Sequence, residues 1–217
     1  MPGLSKEEYS ERLKIALKNF EEDPSKENKK KVIKLAELAL DAGVNVAAIF
    51  GESESYNQVS MLFFLGFSTI LTRPDNDFVL GAGVNYSVQG SQYDDYQYEP
   101  GGGSSSENSK VRLNYLNFPL TVKYRKNVNK GFFAEAGLQP GILLSAKDIT
   151  KEGKEDIKDA YKKFDLGVMV GAGYQINRRL GVGVRVAPGL LNINKQETDG
   201  NKDRNFVVSA RAGFRIF

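Results

Sequence analysis

The chain has neither cysteine nor histidine among its 217 residues, and these two absences remove most site chemistry before any motif is read. Without cysteine there are no disulfides and no thiolate metal sites. Without histidine, Ser-His-Asp triads, His-zinc centres and His-Asp dyads are excluded. The remaining carboxylate neighbours, Asp94 with Asp95 and Glu155 with Asp156, stand in polar stretches where solvation explains them. No catalytic residue, cofactor or metal ligand set is therefore expected. A run of about 18 apolar residues is also missing, so no helical membrane span is expected, although a membrane strand would leave no such run. Charge of one sign is lacking too. Thirty Lys and Arg against 27 Asp and Glu leave +3, too near neutral for a nucleic-acid partner.

What is present is alternation. From Gly43 to Phe217 the chain divides into eight segments with apolar residues on one face and Gly, Asn, Gln and charge on the other. The last is the cleanest: Phe206, Val208, Ala210, Ala212, Phe214 and Ile216 share one face, opposite Asn205, Ser209, Arg211, Gly213 and Arg215. In the sixth, Phe164, Leu166, Val168, Val170, Ala172 and Tyr174 alternate with Asp165, Gly167, Gly171, Gly173 and Gln175. A soluble barrel of this size needs the reverse arrangement, whereas a membrane barrel presents apolar residues to lipid and polar ones to its lumen. The second segment, Met61 to Arg73, is apolar on both faces, and either could point outward. Most segments approach the 9 to 11 residues of a tilted membrane strand, with aromatics such as Phe164 with Tyr174 and Phe118 with Tyr124 at the ends.

The connections carry an independent signal. Long polar stretches (GESESYNQVS, SQYDDYQYEPGGGSSSENSK, AKDITKEGKEDIKDAYKK, NKQETDGNKDR) alternate with the short links RPDND, RKNVNKG and NRR. A meander between two compartments has this form, with long loops outside and tight turns on the periplasmic side. The glycines of GVMVGAG, residues 167 to 173, alternate with outward apolar residues and precede no helix, so they make room in a narrow lumen rather than cradle a phosphate.

The order of the phrases LNYLNFPLTVKY, FFAEAGLQPGILLSAKD and KKFDLGVMVGAGYQI resembles the PorT-like outer-membrane β-barrel family of Bacteroidetes, over roughly residues 43 to 217. The resemblance implies an eight-stranded barrel in the bacterial outer membrane, in a family mostly without assigned chemistry, a few of whose members are linked to protein secretion or gliding. One departure is that Phe217 falls out of phase with Phe214 and Ile216, where such barrels usually end on an in-phase aromatic.

Residues 1–42 read differently. Ser5 and Glu8 form a capping box, and Tyr9, Leu13, Ala16, Leu17 and Phe20 recur at helical spacing up to Asp23 and Pro24. A second helix is expected with Val32, Leu35, Ala36 and Ala39 on one face, ending at Gly43. The near-ideal caps and Glu, Lys, Leu and Ala usage suggest a designed or appended hairpin, making the chain a chimera, and no leader segment with an apolar centre precedes it.

The expected architecture is thus an all-β membrane barrel, eight-stranded, antiparallel and up-and-down, at residues 43–217, with an N-terminal α-helical hairpin at 1–42. Inside it, Glu135, Arg185 and Arg211 stand at comparable heights, with Lys123, Gln139 and Asn117 as lesser partners in a polar network. Tyr93, Tyr96 and Tyr98 with Asp94 and Asp95 form a candidate binding surface in an outer loop, for a protein or glycan. The expected function is a non-enzymatic scaffold in a lipid bilayer without an open pore; the alternatives are a component of a protein-secretion system and a soluble ligand-binding barrel. The oligomeric state is not legible.

Overall fold

A computed structural model describes residues 6–23, 37–51, 58–70, 77–98, 104–127, 129–195 and 202–216. Period-two segments can satisfy their backbone groups in lipid only by pairing with one another and closing into a ring, and that is the arrangement found. The strands are β1 (Glu37–Phe50), β2 (Gln58–Ile70), β3 (Phe78–Tyr98), β4 (Ser104–Asn117), β5 (Leu120–Arg125), β6 (Gly131–Ile149), β7 (Lys154–Asp156), β8 (Phe164–Gln175), β9 (Leu180–Pro188) and β10 (Arg204–Arg215). All pairings between these strands are antiparallel, and β1 pairs with both β2 and β10, which closes the barrel. The wall contains eight spanning strands, because β4 and β5 are one strand interrupted at Phe118 and Pro119. Proline has no N–H for the ladder, yet the ladder continues through Phe118 N to Pro140 O at 2.8 Å and Gly83 N to Pro119 O at 2.9 Å. The short β7 pairs with the outer end of β6.

The outward faces are apolar and exposed, as a lipid-facing wall must be. Phe132, Met61 and Phe78 are 81%, 76% and 65% exposed. At the short-turn end, Phe132 stacks edge-on with Tyr174 and Phe78 tilts against Tyr124, each with ring centroids 4.9 Å apart. At the other end Phe50 meets Phe206 edge-on at 5.3 Å. These pairs form the aromatic girdles at the two interfaces. The doubly apolar second segment is resolved by closure: Phe63, Leu65 and Phe67 face outward, and Phe64 is buried inside with Gly66 and Ser68 following in its phase. A register shift between Val59 and Phe64 bends this strand.

Three expectations need correction. The first strand begins at Glu37, not Gly43, so the barrel reaches back into the residues assigned to a second helix, and Ala39 lies in a strand. Leu38, Leu40, Ala42 and Val44 continue the lipid face; a helix ending at Gly43 would have left Asp41 without the partner it finds inside the wall. The first helix, α1 (Lys6–Glu22), forms where the cap and spacing put it. The remainder of the expected second helix, and Phe217, lie outside the described residues.

Second, the stretch from Gln92 to Tyr98 is not a loop. It is the outer end of β3, paired residue for residue with Ser104–Lys110 of β4 from Gln92↔Lys110 to Tyr98↔Ser104. Third, the lumen is not polar throughout. Its outer part is an apolar core of Ile49, Val111, Leu113, Tyr115, Leu143, Ala146, Tyr161 and Ile193. A shift of register between Asn114 and Tyr115 lets both Leu143 and Ala146 point inward from β6. The segments after β7 and after β9 close over this core, joined by Lys162 N to Ile193 O at 2.7 Å and Lys195 N to Ala160 O at 2.9 Å.

Candidate functional site

Below the apolar core the lumen narrows to layers of polar and then charged side chains. In the middle layer Ser209 Oγ donates to Asn45 Oδ1 at 2.8 Å, and Asn45 Nδ2 donates to Ser87 Oγ at 3.0 Å. Nearer the outer core, Asn205 Nδ2 donates to Asp165 Oδ2 at 2.7 Å and to Tyr115 Oη at 3.2 Å.

Nearer the short-turn end the charges converge on Glu135 of β6, whose side chain is 2% exposed. Its Oε1 accepts from Arg185 Nε and Nη2 at 3.1 and 2.7 Å and from Arg211 Nη1 at 2.8 Å. Its Oε2 faces Lys123 Nζ at 3.4 Å. Arg211 extends the cluster to β1, where Nη2 donates to Asp41 Oδ1 at 2.6 Å, and Ser68 Oγ of β2 donates to Asp41 Oδ2. Lys123 also lies 4.6 Å above the ring of Phe133. Five strands therefore supply charges to one network: β1, β5, β6, β9 and β10.

The glycines opposite these residues explain how so narrow a lumen admits them. Glu135 is directly paired with Gly171, Phe133 with Gly173 and Asp41 with Gly213. A Cβ on Gly173 would stand 2.3 Å from Phe133 Cζ, and one on Gly213 2.8 Å from Asp41 Oδ1. The space is made for the neighbouring strand's side chain.

Of the residues singled out in the sequence, the structure brings Glu135, Arg185, Arg211 and Lys123 together. Asn117 and Gln139 instead line a separate cavity of about 20 Å³ with Asn45, Asn85, Ser87 and Arg185. Tyr93 packs against the apolar core and its hydroxyl donates to Asp148 Oδ2 at 2.6 Å, which ties it into the wall. Asp94, Asp95, Tyr96 and Tyr98 lie on the outer end of β3. Asp41 was missed because it was assigned to a helix; the alternation of Leu38, Leu40, Ala42 and Val44 around it was the available signal. Chemically the cluster is an arrangement of ion pairs. Among the described residues no group of three acidic residues could hold a metal.

A closed eight-stranded wall with a lipid-facing apolar surface and a charged lumen is matched by the sequence signature of a family described as outer membrane protein beta-barrel domain, over residues 25–195. The chain belongs to this family. It is accordingly a protein of the bacterial outer membrane, embedded in the lipid bilayer. The family match begins at residue 25, within the segment read from sequence as part of a separate hairpin. Among solved structures, Neisserial surface protein A shares the fold at a TM-score of 0.50 and 14% identity, covering 83% of this chain and 99% of its own. The attachment invasion locus protein Ail of Yersinia pestis, solved with a heparin analogue, is similar at 0.47 and 12%, covering 83% and 99%. The outer membrane enzyme PagL is similar at 0.38 and 14%, covering 80% and 99%. No curated protein matches the chain.

Proposed function

We propose that this protein is a non-enzymatic scaffold of the outer membrane, which carries a rigid outer extension of β-structure to a protein or glycan partner and conducts no steady current. The filled lumen supports this reading. Cavities within it, among the described residues, measure about 50, 40 and 20 Å³. One water needs roughly 10–15 Å³ of such volume, so each holds a few waters at most. Eight strands leave an interior that side chains can fill, and here the charged cluster and the apolar outer core fill it. The extension that would meet a partner is the outer end of β3 and β4, where Asp94, Asp95, Tyr96 and Tyr98 fall. Helix α1 is read as a module appended on the periplasmic side.

Planar-bilayer recording tests the scaffold. Purified monomer should give no stable conductance steps, and large steady openings would overturn the reading. A narrower assignment, to the PorT-like branch and protein secretion, draws on the phrases spanning β4 to β8. It predicts that deleting the gene in its native host abolishes export of specific cargo while leaving the envelope intact.

A further inference from the structure

The charged layer does not balance. Among the described side chains, Lys123, Arg185 and Arg211 meet Asp41 and Glu135, so three cations face two carboxylates inside a lipid-surrounded barrel. An uncompensated buried charge costs several kcal/mol, and the Lys123 side chain, 22% exposed, opens onto the small cavities of this lumen. The surplus is most loosely held at Lys123. Its contact with Glu135 is 3.4 Å, against 2.6–2.8 Å for the shortest contacts of the two arginines, and charge-assisted bonds ordinarily run at about 2.7–2.9 Å. The ammonium has three donors, and among the described residues one carboxylate oxygen lies within ion-pair reach of it. Beside Lys123 and Arg211, towards the short-turn end, is a cavity of about 50 Å³. Its wall carries Lys123, Arg211 and Arg215, and Asp41 is its one acidic side chain among the described residues.

We propose that this cavity holds one small monovalent anion of the halide class, received by Lys123 and Arg211 as the counter-ion that neutralises the layer. The volume, a few water equivalents, suits a halide with part of its hydration shell and is too small for a sugar or a lipid headgroup. Access would come from the periplasmic end, since the outer end is sealed by the apolar core.

The test uses the full chain in detergent micelles. Chloride-35 line broadening, measured in excess chloride and competed by bromide, should show one saturable site. Crystals soaked in bromide should give an anomalous peak within hydrogen-bonding reach of Lys123 Nζ. Lys123→Met, which equalises cations and carboxylates, should lower halide affinity at least tenfold while the barrel keeps its heat-sensitive gel migration. An absent saturable signal in the wild-type protein, or undiminished binding in Lys123→Met, overturns the proposal. Should that variant not fold, the bromide peak in wild-type crystals decides alone: a peak elsewhere in the lumen, or none, refutes the site. A lysine made neutral by losing its proton would balance the layer without an anion, and would appear as that missing peak.

Discussion

Replacing Glu135 by alanine is the sharpest perturbation the cluster allows. The variant removes the one carboxylate that faces Arg185, Arg211 and Lys123, with three hydrogen bonds to a single oxygen and a further contact to the other. Arg211 keeps Asp41. Among the described residues Arg185 and Lys123 keep no carboxylate contact, in a layer whose arginine side chains are about one-tenth exposed. Hydrogen bonds to charged groups each contribute about 1.5–3 kcal/mol net, but three to one oxygen share its charge and do not add. The penalty for orphaning a buried ion-pair partner, about 3–5 kcal/mol, is the better guide. The expected loss is at least about 3 kcal/mol, or two powers of ten in the folding equilibrium at 1.4 kcal/mol each. Urea unfolding in phospholipid vesicles, followed by heat-sensitive migration and tryptophan-independent circular dichroism, measures it. Adding Arg185→Met to Glu135→Ala should recover part of the loss, because it removes an orphaned cation, and the resulting coupling isolates the pair. A loss below about 1 kcal/mol for Glu135→Ala alone would show that water or rearrangement solvates these arginines, and the closed-lumen argument would fail.

Three further outcomes follow from the wall. Gly173→Ala should impair folding strongly, since its Cβ would lie 2.3 Å from both Phe133 Cζ and Val182 O, and a backbone oxygen cannot move aside as a side chain can; a yield of folded barrel equal to wild type refutes this. The folded protein should require micelles or lipid and migrate differently before and after boiling, because a closed barrel has no edge from which to unzip; a monodisperse monomer in plain buffer with intact β-signal would contradict the lipid-facing assignment. Removing residues 1–36 should leave a barrel that still folds in detergent, because β1 begins at Glu37; loss of the gel shift would show that the N-terminal segment is integral to the wall.

Much of the barrel was legible because lipid and lumen impose opposite chemistry on successive residues. Seven segments keep one phase, and in β10 Phe206 to Phe214 face out while Ser209 and Arg211 face in, as their alternation requires. Where both faces are apolar the pattern is silent, and β2 could be oriented only by its register against β1 and β3. The start of β1 was obscured for a related reason. Leu35, Ala36 and Ala39 fit a helical stripe, while Leu38, Leu40 and Ala42 fit a strand, so local spacing supports two structures over one short stretch. The outer ends of β3 and β4 were read as loop because Gln, Asp, Ser and Asn dominate there; their ladder is formed by cross-strand pairing, which composition does not encode.

The sequence by itself determined which side of each clean strand meets lipid, and that acid–base chemistry through histidine is absent. Those properties are local, set by residue type and a period of two. Tertiary structure decided which charges meet. Closure brings Asp41 and Arg211, 170 residues apart in sequence, to 2.6 Å, and the register of β6 against β5 and β8 places Glu135 opposite Lys123 and Gly171. It also decided that the outer lumen is apolar, because register shifts and returning segments aim Leu143, Ala146, Tyr161 and Ile193 at a common centre. Such meetings depend on the stagger of whole strands around a closed ring, a property of the assembled barrel that no single segment contains.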